Sequence, residues 1–367
     1  MYWLSLFSII ALGITTNGAP YQIKLLNLLN DGGVRSLFEV DSMIEVPEFE
    51  ITSPAQVSSN RATRSLPLHR YQRRFTRSPE LRDIDPYPQT TELTFNAFGI
   101  NFHLNLTKSS FIAPDMVLQR GPGGRVINPV DSCYYQGNII GYEKQNIVTV
   151  STCNAEVTTS LSRHKRGIRN LDAITTQTIE LVVMVDSTVY EYFDSSDTLV
   201  QDFVLSFVNA LDLLLRNPGL GAYDLNLKLL GIHFFHDSGE LEDPEEVTSQ
   251  TNQCDSGEGC IGELSLMKDL WERVNEGYQA DHGIYLTKRK LCFADMTGCQ
   301  QSGYAPLGGM CGGRSSLSVA RADGLQATSE EAHELGHNLG IVHDGEASGG
   351  CYDSMHNKRV LNKKRYI

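Results

Sequence analysis

The chain has 367 residues, of which 41% are hydrophobic and 20% are charged, and its formal net charge is −13 at pH 7. This composition excludes a chain dominated by long disorder, and the acidic balance argues against nucleic acid as the main partner. The length is sufficient for two domains.

The first segment is an apolar stretch from Leu4 to Ile14, followed by small and polar residues around Gly18 and Ala19. About eleven apolar positions is the length of a signal-peptide core and is too short to span a bilayer. A buried first helix is the alternative interpretation. We predict a signal peptide over residues 1–19, no membrane-spanning segment later in the chain, and a secreted, extracellular product.

Two features of the composition agree with secretion. The eight cysteines are an even number, which permits full pairing in an oxidising compartment, although their connectivity does not follow from the sequence. Asn105 begins the triplet Asn-Leu-Thr, a glycosylation sequon that is usable only in a secretory context. We therefore predict that Asn105 is a glycosylation site.

Residues 20–90 lack clear periodicity, and we expect a flexible lead-in there. From Glu92 the stretch ELTFNAFGINFHLNL alternates apolar and polar residues around a glycine, which predicts a hairpin. The following SCYYQGNIIGYEKQNIVTVSTC predicts two more strands between Cys133 and Cys153. A disulfide closing this loop is worth roughly 3 kcal/mol in the chain-entropy picture, and we predict that these two cysteines pair.

A basic run, Arg163-His164-Lys165-Arg166, separates this β-rich region from the rest of the chain. Proprotein convertases have acidic clefts that read Arg-x-Lys-Arg through several charge pairs. A basic surface turn is the alternative interpretation. We predict a cut after Arg166, which makes residues 20–166 a propeptide and residues 167–367 the domain that it precedes.

After Gly167 the sequence alternates between strand and helix patterns, which indicates the α/β class. Strands are predicted in IELVVMVD, LNLKLLGIHFF and HGIYLT, and helices in TLVQDFVLSFVNALDLLL and ELSLMKDLWERVNEGY. The glycine-rich stretch GYAPLGGMCGG predicts a loop. The next stretch, SSLSVARADG, is expected to be an edge strand before a final helix.

The final helix carries the stretch EEAHELGHNLGIVHDG. His333 and His337 are four residues apart, which on a helix places both imidazoles on one face, so two nitrogens can reach one zinc ion. Gly340 allows the positive φ that ends the helix and turns the chain back. His343 then supplies a third ligand, and Glu334 lies beside the ion without taking a coordination position.

Three histidines and one open position are typical of a single catalytic zinc ion rather than a structural one. The open position holds a water whose pKa falls toward 7, and Glu334 acts as the general base that takes its proton during peptide hydrolysis. The alternative is a polar helix face with histidines that bind no metal. The pattern predicts a zinc endopeptidase.

The stretch HELGHNLGIVHD resembles the zinc signature of the metzincins, and specifically their reprolysin (adamalysin) branch, in which an aspartate follows the third ligand as Asp344 follows His343. LTFNAFGINFHLNLT and CYYQGNIIG resemble the reprolysin propeptide, and IELVVMVD, YLTKRKLC and GYAPLGGMC resemble the catalytic domain. The closest subgroup by this resemblance is the secreted proteases with thrombospondin motifs. It implies a metzincin fold, an α/β domain with a mixed, mostly parallel five-stranded sheet and a zinc-binding helix, after a mainly β propeptide.

The resemblance also implies roles for residues outside the zinc motif. Glu180 and Asp281 fall where the family has calcium ligands, so a calcium ion is a second expected cofactor. Met355 is the candidate for the methionine turn beneath the zinc. The ending KRVLNKKRYI stands where the family has a closing helix, so we expect a C-terminally truncated catalytic domain.

For the remaining cysteines we predict two local bridges, Cys254–Cys260 and Cys292–Cys299, which leave Cys311–Cys351 as the fourth pair. The expected partners of the chain are extracellular protein substrates and a maturing convertase, and we expect a monomer. The alternative function is a truncated, non-catalytic secreted protein that regulates or binds substrate. The intact Glu334 favours catalysis, because a binding module does not need that carboxylate.

Overall fold

The structure is a computed structural model of the chain. It describes residues 9–12, 51–52, 55–57, 63–65, 87–97, 99–120, 124–127, 133–141, 146–153, 156–163, 175–216, 223–235, 260–261, 264–291, 302–324, 327–343, 352–353 and 358–359. The chain divides into two compact units. The first contains residues 1–110 and 131–167, and the second contains residues 111–130 and 168–367.

The first unit is built around a nine-stranded sheet in the order β2-β1-β11-β10-β9-β6-β5-β3-β4. Its strands are β1 (Ile9–Leu12), β2 (Ile51–Thr52), β3 (Ala55–Val57), β4 (Thr63–Ser65), β5 (Thr90–Ala97), β6 (Ile100–Lys108), β9 (Tyr134–Ile139), β10 (Asn146–Ser151) and β11 (Glu156–Arg163). The expected hairpin is formed by β5 and β6, which pair antiparallel around Gly99 with φ +71°. The lead-in is less irregular than predicted, because β2, β3 and β4 fall within it.

Alternating side chains of the first unit's strands form its core, as period-2 patterns predict. The buried cluster consists of Leu93, Phe95, Ala97, Leu104, Leu106, Tyr135, Ile139, Val148 and Val150. The predicted Cys133–Cys153 disulfide is present, with its Cα atoms 5.1 Å apart. Asn105 is exposed on β6, so its side chain is accessible to modification.

The second unit contains a seven-stranded sheet in the order β17-β18-β15-β12-β13-β7-β8. Its strands are β7 (Ile112–Arg120), β8 (Gly124–Ile127), β12 (Thr175–Asp186), β13 (Tyr223–Phe235), β15 (His282–Thr287), β17 (Gly303–Tyr304) and β18 (Leu317–Arg321). Neighbouring strands are parallel except that β17 and β8, at the two edges, run antiparallel to their neighbours. Two short pairs also form, β14 (Cys260–Ile261) with β16 (Lys290–Leu291) and β19 (Tyr352–Asp353) with β20 (Lys358–Arg359).

This sheet differs from the prediction in two respects. It has seven strands rather than five, because β7 and β8 come from the region that we assigned to the propeptide. The strand at Leu317–Arg321 is internal and not an edge strand, since it pairs with β15 on one side and β17 on the other. The edge is instead a two-residue strand within the glycine-rich stretch that we expected to be loop.

Among the described residues, four helices accompany the sheet: α1 (Ser187–Tyr192), α2 (Asp197–Leu215), α3 (Leu264–Asn275) and α4 (Ala327–Asn338). One core cluster joins the sheet to α3 and consists of Val182, Met184, Phe235, Leu270, Trp271, Val274, Ala280, Tyr285, Leu291, Leu317 and Val319. Trp271 packs directly on Gly283 of β15, where an added Cβ would lie 2.5 Å from the indole. The absence of a side chain at Gly283 therefore allows Trp271 of α3 to pack closely on the sheet.

Helix α2 has 19 residues and, by length and composition alone, is long and apolar enough to cross a membrane, which the prediction of no later membrane-spanning segment did not anticipate. Most of this helix is buried inside the fold. Its polar Asp212 is also buried, and one carboxylate oxygen accepts a hydrogen bond from the Leu227 amide at 2.8 Å while the other contacts Arg216 at 2.7 Å. These satisfied polar contacts are typical of a core helix.

Candidate metal centre

Helix α4 and the turn that ends it place the three predicted ligands. His333 and His337 lie one helical turn apart on α4. At its end the Gly340 amide donates to the His337 carbonyl at 2.8 Å, and the Ile341 amide donates to the Gly336 carbonyl at 2.9 Å. This is a Schellman motif, and Gly340 adopts the φ of +91° that it requires. The chain therefore reverses at Gly340, as predicted, and returns His343 toward the helix.

The three imidazoles converge through the same ring atom. The Nε2 atoms of His333 and His337 are 3.0 Å apart, those of His337 and His343 are 2.9 Å apart, and those of His333 and His343 are 3.2 Å apart. A tetrahedral zinc ion with Zn–N bonds of 2.0–2.1 Å separates its ligand atoms by about 3.3 Å. The triangle thus has the size that a zinc ion needs, and among the described residues it is the one group of three metal-binding side chains.

A hydrogen bond fixes the tautomer of His337. Its Nδ1 lies 2.8 Å from the backbone carbonyl oxygen of Ile341. A carbonyl oxygen only accepts, so Nδ1 carries the proton and donates it. In the neutral ring Nε2 is then left with its lone pair, directed at the other two histidines. Metal-binding histidines are commonly oriented in this way by an outer hydrogen bond.

Glu334 follows His333 on α4 and lies against the edge strand of the sheet. Its side chain is nearly buried, and an added Cβ on Gly303 of β17 would lie 2.7 Å from the Glu334 Cγ. The neighbouring residue, Tyr304, has its pKa raised, first by burial and then by the negative charge of Glu334. The carboxylate is therefore held between the histidine-bearing helix and the β17 edge.

The glycine-rich stretch holds the end of the helix in place. The Gly308 amide donates to the His337 carbonyl at 2.8 Å, and the Met310 amide donates to the Asn338 carbonyl at 2.9 Å. These carbonyls belong to the last turn of α4, which has no helical partners for them. Gly309 permits the close approach, because a Cβ there would lie 2.2 Å from the Ser315 carbonyl oxygen. The loop thus caps the helix that carries two of the ligands.

Asn338 fixes the same region and was not singled out from the sequence. Its side chain is fully buried, and its Nδ2 lies 3.0 Å from the carbonyl of Ser315 and 3.3 Å from those of Pro306 and Leu317. These carbonyls lie in the glycine-rich loop, in the short turn that follows it and at the start of β18. The amide therefore ties the end of the helix to all three. Its position directly after His337 was the available signal, but sequence alone does not show which polar helix residues turn inward.

Comparison with known proteins gives two matches to family models. A model of the reprolysin family propeptide matches residues 50–140, and a model of metallopeptidase family M12 matches residues 175–366. The second match covers more than half of the chain. The chain belongs to metallopeptidase family M12. The resemblance drawn from the HELGHNLGIVHD stretch is thereby confirmed.

Curated relatives of this M12 chain include human "A disintegrin and metalloproteinase with thrombospondin motifs 16", which is 28% identical over 189 residues, or 52% of this chain and 14% of that protein. The human protein with thrombospondin motifs 7 is 29% identical over 173 residues, or 46% of this chain and 10% of that protein. The mouse protein with thrombospondin motifs 2 is 24% identical over 220 residues, or 59% and 16%. The chain therefore spans only a small part of the length of these relatives. A solved structure described as "Structure of a chaperone-substrate complex" aligns with a TM-score of 0.29 and 13% identity over 57% of this chain and 28% of its own.

A row of buried polar side chains connects helix α4 to the sheet of this M12 chain. Glu331 is completely buried, and the hydroxyl of Ser318 donates to its carboxylate at 2.5 Å. The Nε2 of His282, also completely buried, lies 2.9 Å from the same hydroxyl. Burial, above all, raises the pKa of Glu331 well above its ordinary value, and burial lowers the pKa of His282 to about 3. Both groups therefore favour their neutral forms, and the row links α4 to β18 and β15.

The predicted calcium ligands are adjacent in the structure. The backbone amide of Glu180 donates to the Asp281 carboxylate at 2.9 Å, and the Asp281 amide donates to the Glu180 carbonyl at 2.8 Å. One Asp281 oxygen is thus committed to the backbone, and the described residues supply no third carboxylate beside them. A calcium ion between these two residues remains a prediction.

The other predicted site residues fall largely outside the described part of the chain. Arg166, Met355, Cys254, Cys292, Cys299 and Cys351 lie there, and of Cys260 only the backbone is described, in β14. Cys311 is described, and its thiol is free and exposed. The processing site, the methionine turn and the three other disulfides therefore stay predictions.

Proposed function

We propose that this M12 chain is the precursor of a secreted zinc endopeptidase that hydrolyses peptide bonds in extracellular proteins. The observation that carries the proposal is the triangle of Nε2 atoms, 2.9–3.2 Å apart, with the carboxylate-bearing Glu334 on the same helix. Membership of a metallopeptidase family supports the same reaction class.

The roles of the side chains follow from their chemistry. His333, His337 and His343 would hold the ion through neutral Nε2 atoms, and the Ile341 carbonyl keeps one of these rings in the required tautomer. A bound zinc ion supplies a Lewis acid that polarises a carbonyl and acidifies water. The Glu334 carboxylate takes the proton of the attacking water and delivers it to the nitrogen of the leaving amine. The reaction needs no other base, because one carboxylate performs both transfers.

The substrate would lie along the β17 edge. Gly303 and Tyr304 pair antiparallel with β18 on one side, and β17 ends the sheet on the other. An extended peptide gains main-chain hydrogen bonds by adding to such an edge. This position brings the peptide next to Glu334, whose Cγ lies close to Gly303.

The proposal includes the maturation steps read from the sequence. A signal peptide over residues 1–19 directs secretion, a convertase cuts after Arg166, and Asn105 carries a glycan on its exposed strand position. The protein acts as a single copy of this chain and not as a homo-oligomer, with a calcium ion at Glu180 and Asp281 as the second cofactor.

The test uses the full chain after cleavage at Arg166, confirmed by mass spectrometry. We expect about one zinc ion per chain and cleavage of a broad protein panel. Glu334→Gln should retain zinc and lower turnover by roughly 10²- to 10⁴-fold, the contribution of a positioned general base. The matched control is Glu330→Gln on the same helix, where the amide oxygen still accepts the 2.8 Å hydrogen bond from Ser302. Zinc-loaded protein that has been shown to be free of the propeptide and still cleaves nothing would favour a non-catalytic regulator or substrate binder.

A further inference from the structure

The hairpin of β7 and β8 belongs to the protease unit by structure and to the propeptide by sequence. The propeptide family model covers residues 50–140, which include the whole hairpin. The compact unit that contains the zinc helix nevertheless includes Phe111–Val130. The chain thus leaves the first unit after Ser110, contributes two strands to the protease sheet, and returns at Asp131.

Backbone pairing attaches the hairpin to β13. The Leu229 amide donates to the Phe111 carbonyl at 2.7 Å, and β7 then runs parallel to β13 from Val117 opposite Gly231 to Arg120 opposite Phe234. Gly231 allows a close approach, because an added Cβ would lie 2.9 Å from the Val117 carbonyl oxygen. Strand β7 is therefore a hydrogen-bonded member of the sheet, and its backbone packs closely on Gly231.

Apolar burial and one ion pair add to the ladder. Phe111 and Met116 are completely buried, and Val117 and Leu118 are 4% and 2% exposed. Arg120 at the end of β7 contacts the carboxylate of Asp197, the first residue of α2, at 2.8 Å. Loss of the hairpin would expose these side chains and leave the β13 backbone as a bare, apolar sheet edge, which is a hazard for aggregation.

We propose that the propeptide stays bound to the protease unit through this hairpin after the chain is cut after Arg166, so that the mature protein is a non-covalent complex of two chains. The partner that the β13 edge fits is thus a segment of this same chain. The inference rests on the proposed function only for the cut itself. It needs neither the zinc ion nor peptide hydrolysis.

Within the protease sheet the hairpin lies far from the candidate metal centre. In the sheet order, β7 is five strands from β17, the edge that lies beside Glu334. Strands in a sheet are spaced by about 4.8 Å, so the two edges are roughly 24 Å apart. The hairpin therefore stabilises the protease sheet at the edge remote from β17, and the hairpin itself does not cover the histidines.

The test introduces the cut with a site-specific protease, so that the result does not depend on recognition of the chain by a convertase. Residues 164–169 are replaced by the recognition sequence of a site-specific protease, and the full chain is cut and passed through gel filtration without and with 6 M urea. We expect both fragments to elute together at the mass of the uncut chain in buffer and apart in urea. Separate elution in buffer would overturn the inference, while zinc content and turnover of the same sample report on the proposed function independently.

Substitutions test whether the hairpin is the part that holds the fragments. Leu118→Asp places a charge in the buried strand, and we expect its cut fragments to separate; the matched control, Asp115→Asn, changes an exposed residue of the same strand and should leave them together. Arg120→Ala removes the pair with Asp197 without disturbing the core, so it remains informative if the first variant does not fold. It should raise the dissociation rate by about two- to five-fold at low salt, the range for an exposed ion pair. Fragments that stay together in Leu118→Asp, or a dissociation rate that Arg120→Ala leaves unchanged, would contradict the inference.

Discussion

Gly303→Ala is a test of how closely the edge strand confines the general base. The added Cβ would lie 2.7 Å from the Cγ of Glu334, 3.0 Å from Oε1 and 3.1 Å from Cδ. Ordinary van der Waals contact begins at 3.4 Å. The backbone at Gly303 does not have a positive φ, so alanine itself fits the strand conformation. The strain therefore falls on the Glu334 side chain, whose Cγ must move from 2.7 Å to 3.4 Å, that is, by about 0.7 Å.

A displacement of about 1 Å costs on the order of 10²-fold in rate when it misplaces a catalytic group. We expect kcat/KM to fall by roughly 10- to 100-fold, which corresponds to about 1.4–2.7 kcal/mol of transition-state stabilisation. The three atoms nearest to the new methyl group all belong to Glu334 and none to a histidine, so zinc binding should be unchanged. Glu334→Gln sets the lower limit of activity in the same assay.

The assay combines zinc content, thermal unfolding and the rate of hydrolysis of one protein substrate. Gly277→Ala is the control, because its Cβ would meet only the Val274 carbonyl at 3.6 Å, and it should leave activity and stability within about 0.5 kcal/mol of the parent. A Gly303→Ala chain with full zinc and full activity would refute the idea that β17 positions the base. Loss of zinc from that variant would show instead that the substitution acts on the helix.

Three further outcomes follow from the structure. Burial lowers the pKa of His282 to about 3, while in the unfolded chain this pKa stays near 6.5. The contribution of the neutral imidazole to stability is therefore complete above pH 6.5 and is lost as the pH falls toward 3. His282→Gln should reduce the pH dependence of the unfolding free energy by about 1.4 kcal/mol per pH unit between pH 6 and pH 4, measured by urea titrations. Asn338→Ala removes the donor shared by three carbonyls and should destabilise the chain by roughly 1–3 kcal/mol in the same titrations, and a loss below 0.5 kcal/mol would contradict the anchoring role. A chelator should lower the unfolding temperature by roughly 10 °C if zinc is present at a thousand times its Kd, and added zinc should restore it; indifference to both would exclude a bound metal.

The zinc motif was predictable because the interactions that bring its residues together all lie within one short segment of the sequence. The spacing of His333 and His337 is fixed by the helix, and Gly340 marks its end, so a stretch of eleven residues contains both the ligands and the turn that brings them together. The strands at Thr175–Asp186 and His282–Thr287 were equally accessible, because their apolar runs exceed what a loop tolerates.

The features that sequence reasoning missed depend on distant contacts. Two residues, Gly303 and Tyr304, are too few to show alternation, so the edge strand was indistinguishable from loop. In β7 the residues Pro114 and Asp115 interrupt the apolar pattern, and its partner β13 lies about a hundred residues further along the chain. Glu331 and Glu330 are adjacent acids in the sequence, and only the packing against Ser318 determines which of them is buried.

The three histidines all lie within one short segment of the chain, so metal binding to them can begin early in folding. The loop that a metal ion closes between His337 and His343 contains only a few residues, and the entropy cost of closing a loop grows with its length. Most of the bonding that holds the ion therefore needs no strand of the sheet. A nascent chain that has reached His343 already possesses a compact chelating peptide, and metal availability at that stage would act on folding yield as well as on the finished molecule.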